Sequence, residues 1–166
     1  MGAGTWESHH AISTLMFRYA ECVDLADFDG LSELFAHGEI GSTSAEGDAG
    51  MTGEAVGRFY AATNKVHENG TLCTRHLSTN VLIDIDEAGD SATARSYFVV
   101  FQATGKLPFQ PIVGGRYHDD FERADGEWRF KKRVVLVDQI GDMSEHLSFD
   151  LSKGNVRYDD VVSSRE

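Results

Sequence analysis

Residues 111–140 decide the fold because they contain two strand-like runs on either side of a tight turn: PIVGGRYHDDFERADGEWRFKKRVVLVDQI. The dipeptide Asp125-Gly126 favours the turns that join neighbouring antiparallel strands. On both sides of it, β-branched and aromatic residues alternate with polar ones, which is the period of a strand with one buried face. Gly114 and Gly115 indicate a bulge that bends the first strand. They do not indicate a phosphate loop, because no helix follows them.

Two more segments upstream have the same alternating period. They cover residues 74–86 and 91–104, and the turn-forming segments EAGD and GKLPFQ separate the successive runs. With the hairpin of residues 111–140 they predict four consecutive antiparallel strands. The Gly- and Ser-rich residues 38–51 predict a short strand followed by a mobile loop.

The N-terminal part of the chain has a helical period instead. Apolar residues recur with a spacing of three to four from Trp6 to about Ala26, and two shorter helices fit residues 28–36 and 52–64. Thr5 or Ser8 can cap the first helix and Asp27 the second. Helices that precede a strand meander predict an α+β domain, with three helices packed on one face of a curved, mostly antiparallel sheet.

Composition excludes several classes of protein. The chain has 166 residues, 41% of them hydrophobic, which suits one globular domain with a real core. Its formal net charge of −12 disfavours binding to nucleic acid or to anionic membranes. Neither a signal-peptide pattern nor a membrane-spanning run is present, so we expect a cytoplasmic protein. Adjacent His9 and His10 and the distant Cys22 and Cys73 lack metal-ligand spacing, and no metal or cofactor is predicted.

Asp24 stands out on the first helix. It lies at the edge of the apolar arc, beside Phe17 and Ala20, and in the last turn of the helix. A negative charge there is unfavourable by about 0.3–1 kcal/mol because it opposes the helix dipole. A carboxylate in this place needs either a partner or a function, although a solvated position at a frayed helix end is an equal alternative.

His76 is a candidate partner for Asp24. It opens the predicted strand 74–86, which continues into apolar residues. A carboxylate bound to a histidine fixes its tautomer and stabilises the imidazolium, so that the other ring nitrogen becomes a general base near neutral pH. A lone strand histidine is more often structural, and the sequence by itself does not place the two residues within hydrogen-bonding distance.

Four segments of the chain resemble the SnoaL-like family of the nuclear transport factor 2-like superfamily. They are residues 12–36, 75–80, 114–133 and 138–146, which read ISTLMFRYAECVDLADFDGLSELFA, RHLSTN, GGRYHDDFERADGEWRFKKR and DQIGDMSEH. The pattern is similar to that of hexachlorocyclohexane dehydrochlorinase and bile-acid dehydratase. The resemblance implies a cone-shaped α+β barrel, with the three N-terminal helices wrapped on a bent sheet that encloses a cavity. It extends from about Trp6 to His146, so we expect residues 1–146 to form one domain and residues 147–166 to form a C-terminal tail or arm.

The resemblance also implies site residues. It matches Asp24 and His76 to a dyad inside the cavity, with the histidine as the base, and it matches Tyr19 and Arg133 to two further active-site positions. Strand periodicity puts Arg133 on one face with Val135 and Val137, which favours partial burial next to an anion, a carboxylate or water. Tyr19 is otherwise a core aromatic residue.

Three more residues are predicted to bind substrate. Phe17 lies beside Asp24 on the helix, while Tyr97 and Tyr117 are candidates to line the cavity and are equally ordinary strand residues. The relatives associate through their sheets, and apolar residues on both faces of the strands favour the same here. We therefore expect a homotrimer or homodimer, with the tail closing the cavity or crossing to a neighbour.

The leading functional hypothesis is a cofactor-free acid–base enzyme, a dehydratase, isomerase or cyclase, acting on a hydrophobic small molecule. His76 would abstract a proton, Asp24 would orient His76, and Tyr19 or Arg133 would polarise an oxygen of the substrate. Two alternatives stay open. One is a non-catalytic small-molecule-binding domain, and the other is a structural assembly subunit like the small subunit of ring-hydroxylating dioxygenases.

Overall fold

The computed structural model describes residues 4–42 and 50–149. This part of the chain contains three helices packed on a six-stranded, curved and unclosed sheet. The helical and strand periods predict the three helices and the four long strands. The helices are α1 (Trp6–Asp24), α2 (Phe28–Leu34) and α3 (Glu54–Thr63). The predicted loop at residues 43–49 and the tail from residue 150 onward lie outside the described residues.

Four long strands form the hairpins that the sequence predicts. They are β3 (Thr74–Asp86), β4 (Ser91–Gln102), β5 (Gln110–Ala124) and β6 (Glu127–Ile140), each antiparallel to the next. Two short strands, β1 (Glu39–Ser42) and β2 (Met51–Thr52), extend the sheet, and β1 runs parallel to β6. The order β2-β1-β6-β5-β4-β3 leaves β2 and β3 at the edges. The sheet is therefore mostly antiparallel and open.

The bulge predicted at the paired glycines is confirmed. The register between β5 and β6 shifts between Gly114 and Gly115, and a side chain at Gly115 would collide with the carbonyl oxygen of Leu136. A second shift in the same hairpin follows Asp120. Bulges increase the local bend of a strand, so these two help to wrap β5 around the helices.

The core lies between the helices and the concave face of the sheet. The stripe of α1 that the helical period identifies is buried there, at Ile12, Met16, Tyr19 and Val23. It packs against inward-facing residues of β4, β5 and β6, which are Ala94, Phe98, Val100, Tyr117, Phe121 and Phe130. Two aromatic pairs, Phe98 with Tyr117 and Phe35 with Phe130, stack at 4.4 and 5.0 Å between ring centroids. Much of the interior is therefore filled by side chains.

Side-chain caps mark the starts of α1 and α2, the two helices on either side of the turn that follows Asp24. Thr5 caps α1 by accepting a hydrogen bond from the Ser8 amide at 3.1 Å, and Asp27 caps α2 by accepting one from the Gly30 amide at 2.9 Å. Asp24 is the last residue of α1. Since a new helix starts at Phe28, the chain must turn directly after Asp24, and this turn leaves the Asp24 side chain at the helix end beside the edge strand β3.

Candidate functional site

Asp24 is held at the junction of α1 and β3 by three hydrogen bonds. Its Oδ1 accepts from the Thr74 hydroxyl at 2.6 Å and lies 2.6 Å from His76 Nδ1, while its Oδ2 accepts from the His76 amide at 3.0 Å. The Leu72 amide donates to the Asp24 carbonyl at 3.2 Å, which fastens the start of β3 to the helix end. The structure therefore brings Asp24 and His76 together, in the distance range expected for a carboxylate–imidazole pair.

The protonation of this pair follows from its surroundings. Burial raises the pKa of Asp24, but the hydrogen bonds and the charge of His76 together with the Thr74 hydroxyl lower it by more, and the net shift is downward. An ionised carboxylate only accepts hydrogen bonds, so the proton of the neutral His76 ring lies on Nδ1. Nε2 of His76 is then the basic nitrogen.

An open cleft of about 370 Å³ leads to the pair. The side chains of His76 and Asp24 keep 9% and 13% of their surface exposed, so both are mostly buried at its base. The lining residues are Phe17, Ala20, Glu21, Asp24, Leu25, Arg75, His76 and Ser78. The predicted Phe17 thus shares the cleft with the pair. The cleft is open and partly polar, in contrast to the enclosed apolar cavity that the resemblance implies.

Tyr19 and Arg133 belong to a second cluster in the interior. Arg133 is completely buried and donates two hydrogen bonds of 2.7 Å to Asp119, one from Nε and one from Nη2. Its guanidinium carbon lies 4.3 Å from the ring centroids of both Tyr19 and Tyr117. The sequence favours a carboxylate or anion next to Arg133, and the structure supplies Asp119. Neither Tyr19 nor Arg133 lines the cleft.

Burial and the neighbouring charges together determine the protonation states of Tyr19 and Arg133. Burial raises the pKa of Tyr19, and the nearby Arg133 opposes that rise without cancelling it, so the phenol stays neutral. The Tyr19 hydroxyl is hydrogen-bonded to that of Tyr60 at 2.6 Å. Burial lowers the pKa of Arg133, but the charge and hydrogen bonds of Asp119 outweigh it, and Arg133 remains a cation. One of its nitrogens, Nη1, has no partner within the described part of the chain.

Tyr97 and Tyr117 lie on opposite faces of the sheet. Tyr117 is buried and stacks on Phe98 in the interior. Tyr97 is 52% exposed, and its neighbours Ser96 and Phe98 point inward on β4. Because side chains alternate along a strand, Tyr97 faces away from the helices. The expectation that Tyr97 lines the cavity is therefore wrong, since the sequence shows the alternation but not which face is covered.

His146 lies close to the Asp24–His76 pair, and the sequence does not predict this position. Its ring is nearly fully buried, and the ring centroid lies 6.4 Å from that of His76. It belongs to residues 142–148, called here the closing segment, which follows β6. No hydrophobic period runs through this segment. The one available signal was the position of His146 at the end of the last segment that carries the family resemblance.

Burial of His146 predicts an acid-dependent loss of stability. Burial lowers its pKa from 6.5 to about 3, and the charge of His76 acts in the same direction. The unfolded chain then binds one more proton between about pH 3 and 6.5, so the stabilisation is complete above pH 6.5 and is lost as the pH falls. We expect His146→Phe to flatten the fall in free energy of unfolding across this interval, as measured by urea titration at successive pH values.

Exposed His118 provides the matched control for this measurement. His118→Phe should keep the pH dependence of the wild type, because the His118 side chain is exposed and does not enter the buried interior on folding. Parallel curves for His146→Phe and the wild type would contradict the burial of His146 as a neutral ring.

The described residues contain neither a candidate metal site nor a candidate membrane-spanning helix. Residues 4–42 and 50–149 contain no group of three or more histidine, cysteine, aspartate or glutamate side chains placed to hold a metal ion. None of the helices in the same ranges is both long and apolar enough to cross a membrane.

The comparison with protein families gives one match. A family model described as SnoaL-like domain matches residues 4–134. This range includes Asp24, His76, Tyr19 and Arg133, and it ends before His146. None of the curated proteins matches the chain.

Solved structures share the fold. A Mycobacterium tuberculosis protein of unknown function is 25% identical with a TM-score of 0.66, and the alignment covers 95% of this chain and 84% of that one. A putative scytalone dehydratase from Novosphingobium aromaticivorans is 24% identical with a TM-score of 0.60, covering 82% and 87% of the two chains. The β subunit of a putative aromatic-ring-hydroxylating dioxygenase from the same organism is 20% identical with a TM-score of 0.59, covering 81% and 92%.

Proposed function

The chain belongs to the SnoaL-like domain family, and we propose that it is a cofactor-free acid–base enzyme of the dehydratase, isomerase or cyclase type. Its substrate in this proposal is a hydrophobic small molecule that enters the cleft beside Phe17. One observation carries the proposal: His76 Nδ1 lies 2.6 Å from Asp24 at the base of an open cleft, which leaves Nε2 as the basic nitrogen.

The proposed reaction begins with proton transfer to His76. Nε2 takes a proton from a carbon next to a carbonyl or a leaving group, and the electron pair of the broken C–H bond forms an enolate or expels the leaving group. Asp24 stabilises the imidazolium that results. In an isomerisation His76 returns the proton to another carbon, and in an elimination it passes the proton to the departing group.

Tyr19 and Arg133 keep the proposed role of polarising the substrate oxygen. Tyr19 is neutral and can donate a hydrogen bond, and the Arg133 cation lies directly over its ring. A positive charge close to a developing oxyanion stabilises it strongly in a water-poor interior. Since neither residue lines the cleft, this role requires the substrate to reach inward past His76.

The two other hypotheses are weaker but stay distinct. The filled interior favours a structural subunit, in line with the fold shared with a dioxygenase β subunit. A non-catalytic binding domain would use the same cleft without turnover. The hydrogen-bonded Asp24–His76 pair favours the enzyme, because a structural subunit has no need for a basic nitrogen at the base of a cleft.

A ligand screen followed by turnover assays tests the proposed function. Hydroxy-, halo- and enone-type compounds are ranked by the rise in melting temperature of the full-length protein, and the best ones are assayed for elimination or isomerisation. Turnover that depends on His76 supports the enzyme. Binding without turnover for every compound would favour the binding domain, and the absence of any binding would favour the structural subunit.

Oligomerisation remains part of the proposal. The face of the sheet opposite the helices exposes Leu77, Leu82 and Tyr97 by 49–60% each, and Phe109, in the loop before β5, is 71% exposed. Apolar side chains in this number on one face favour contact with a second copy. We expect sedimentation equilibrium to show a trimer or dimer, and a strictly monomeric full-length protein would refute this.

A chain that ends at residue 149 tests whether the tail acts as an arm, because an unchanged mass and ligand affinity would exclude that role.

A further inference from the structure

Two buried polar atoms near the Asp24–His76 pair have no hydrogen-bond partner within the described part of the chain. They are Nδ1 of His146 and Oε1 of Gln102. The residues are linked through Glu145, because Gln102 Nε2 donates to the Glu145 carbonyl at 3.0 Å. Gln102 also lies opposite Thr74, whose hydroxyl binds Asp24. The hydrogen bonding of the interior is thus incomplete on the side of the pair that faces the closing segment.

The closing segment holds His146 firmly in place. The Lys65 amide donates to the His146 carbonyl at 2.8 Å, and the Ser148 amide donates to the Thr63 carbonyl at 2.8 Å. His67 Nε2 lies 3.0 Å from the Glu145 carbonyl. The backbone on both sides of His146 is therefore fixed, and the residue is only 5% exposed. A buried polar group without a partner is unfavourable, so a ligand atom that supplies the hydrogen bond would be bound favourably there.

The chemistry of His146 suits a neutral hydrogen-bonding group. Its depressed pKa keeps the ring uncharged at neutral pH. A second imidazolium beside His76 would oppose the charge that His76 gains when it accepts a proton, whereas a neutral ring does not. A neutral imidazole can still donate or accept a hydrogen bond at Nδ1.

We propose that His146 is a further ligand-binding residue of this site, whose Nδ1 forms a hydrogen bond with an oxygen of the molecule on which His76 acts. This inference rests on the proposed function and narrows the substrate to oxygen-containing compounds, alcohols or ketones. His146 does not line the cleft, so the oxygen reaches Nδ1 from the side of His76. The closing segment then contributes a residue to the site.

Three ligands with one carbon skeleton test the assignment on the full-length protein. Tetralin, 1-tetralol and 1-tetralone differ in the oxygen alone, and their dissociation constants are measured by calorimetry or by NMR titration. In the wild type we expect the oxygen to improve affinity about fivefold, the usual contribution of one hydrogen bond. A gain for both oxygen compounds means that Nδ1 donates, and a gain for the alcohol alone means that it accepts. Either gain supports the assignment.

Two variants of His146 test whether the higher affinity of the oxygen-containing ligands depends on Nδ1. His146→Phe keeps the ring volume and should abolish the advantage of 1-tetralol over tetralin. His146→Asn places an amide near the position of Nδ1 and should restore part of it. His67→Phe is the matched control, because it removes a contact of the closing segment and leaves Nδ1 intact. It should lower the melting temperature and keep the affinity gain.

The outcomes separate this inference from the proposed function. Equal affinity of the three ligands for the wild type, or an unchanged gain in both His146 variants, overturns the role of His146. Turnover that depends on His76 can still be observed in that case. Conversely, a gain that requires His146 but is accompanied by no turnover of any screened compound supports the binding role and overturns the enzyme.

Discussion

Replacing His76 by glutamine is expected to lower kcat/KM by about 10²–10⁴ on any substrate that the ligand screen identifies, because a positioned general base contributes that much to proton transfer. Glutamine has a similar size and keeps a polar group in the cleft, so binding should change little. The loss should appear in kcat, since the missing group acts in the transition state. The measurement is steady-state kinetics of the full-length protein with each variant.

Asp24→Asn should cause a loss of similar size for a different reason. The side-chain amide introduced by this change can donate a hydrogen bond to His76 Nδ1, and this favours the ring tautomer whose proton is on Nε2. Nε2 then cannot accept a proton from the substrate. His118→Gln is the matched control, since His118 is exposed on β5, and it should leave the kinetics unchanged. Activity of His76→Gln within a factor of three of the wild type would refute a base at this position. Unfolding of either variant, detected by circular dichroism, would point to a structural role.

Replacing Asp119 by alanine is expected to destabilise the protein by about 3–5 kcal/mol, because it leaves the Arg133 cation buried without its counter-charge. Both side chains are completely buried, so their two hydrogen bonds of 2.7 Å are shielded from solvent. The free energy of unfolding from urea titration is the measurement. With a stability of about 5 kcal/mol, the low end of the usual range for a domain, such a loss would leave only about 0–2 kcal/mol.

Two comparisons make this second prediction specific. The exposed pair of Arg116 and Asp138 is the matched control, and Asp138→Ala should cost 1 kcal/mol or less, as is usual for about half-exposed ion pairs. The double change of Asp119→Leu with Arg133→Met should recover most of the stability, because an apolar pair replaces the charges together. A cost below about 1 kcal/mol for Asp119→Ala would show that Arg133 finds another partner or water.

Several elements of this protein follow from local sequence patterns. The strand period and the Asp125-Gly126 turn predict the β5–β6 hairpin, and the spacing of Ile12, Met16, Tyr19 and Val23 predicts the buried stripe of α1. Asp24 is identified as unusual from its place on that helix alone. These predictions hold because side-chain periodicity and turn chemistry act between residues that are close in the sequence.

The contact of Asp24 with His76 is different, because it joins residues that are 52 positions apart. The sequence indicates both residues and the family resemblance pairs them. Their distance depends on how α1 packs on the edge strand β3. His146 shows the limit most clearly, since it reaches the pair from a segment without helical or strand period. Long-range packing places it there, and no local signal records that packing.

The Asp119–Arg133 pair shows what the tertiary structure decided. By itself, the sequence determined a hairpin in which Ala124 lies opposite Glu127, and an unbulged hairpin continued from there would place Asp119 opposite Lys132. The bulge after Asp120 shifts the register by one residue, so that Asp119 lies opposite Arg133 and both face the interior. A shift of one residue changes which side chains meet and which face they occupy. It is set by the fit of the curved sheet to the helices, which is a property of the packed molecule and not of the hairpin sequence.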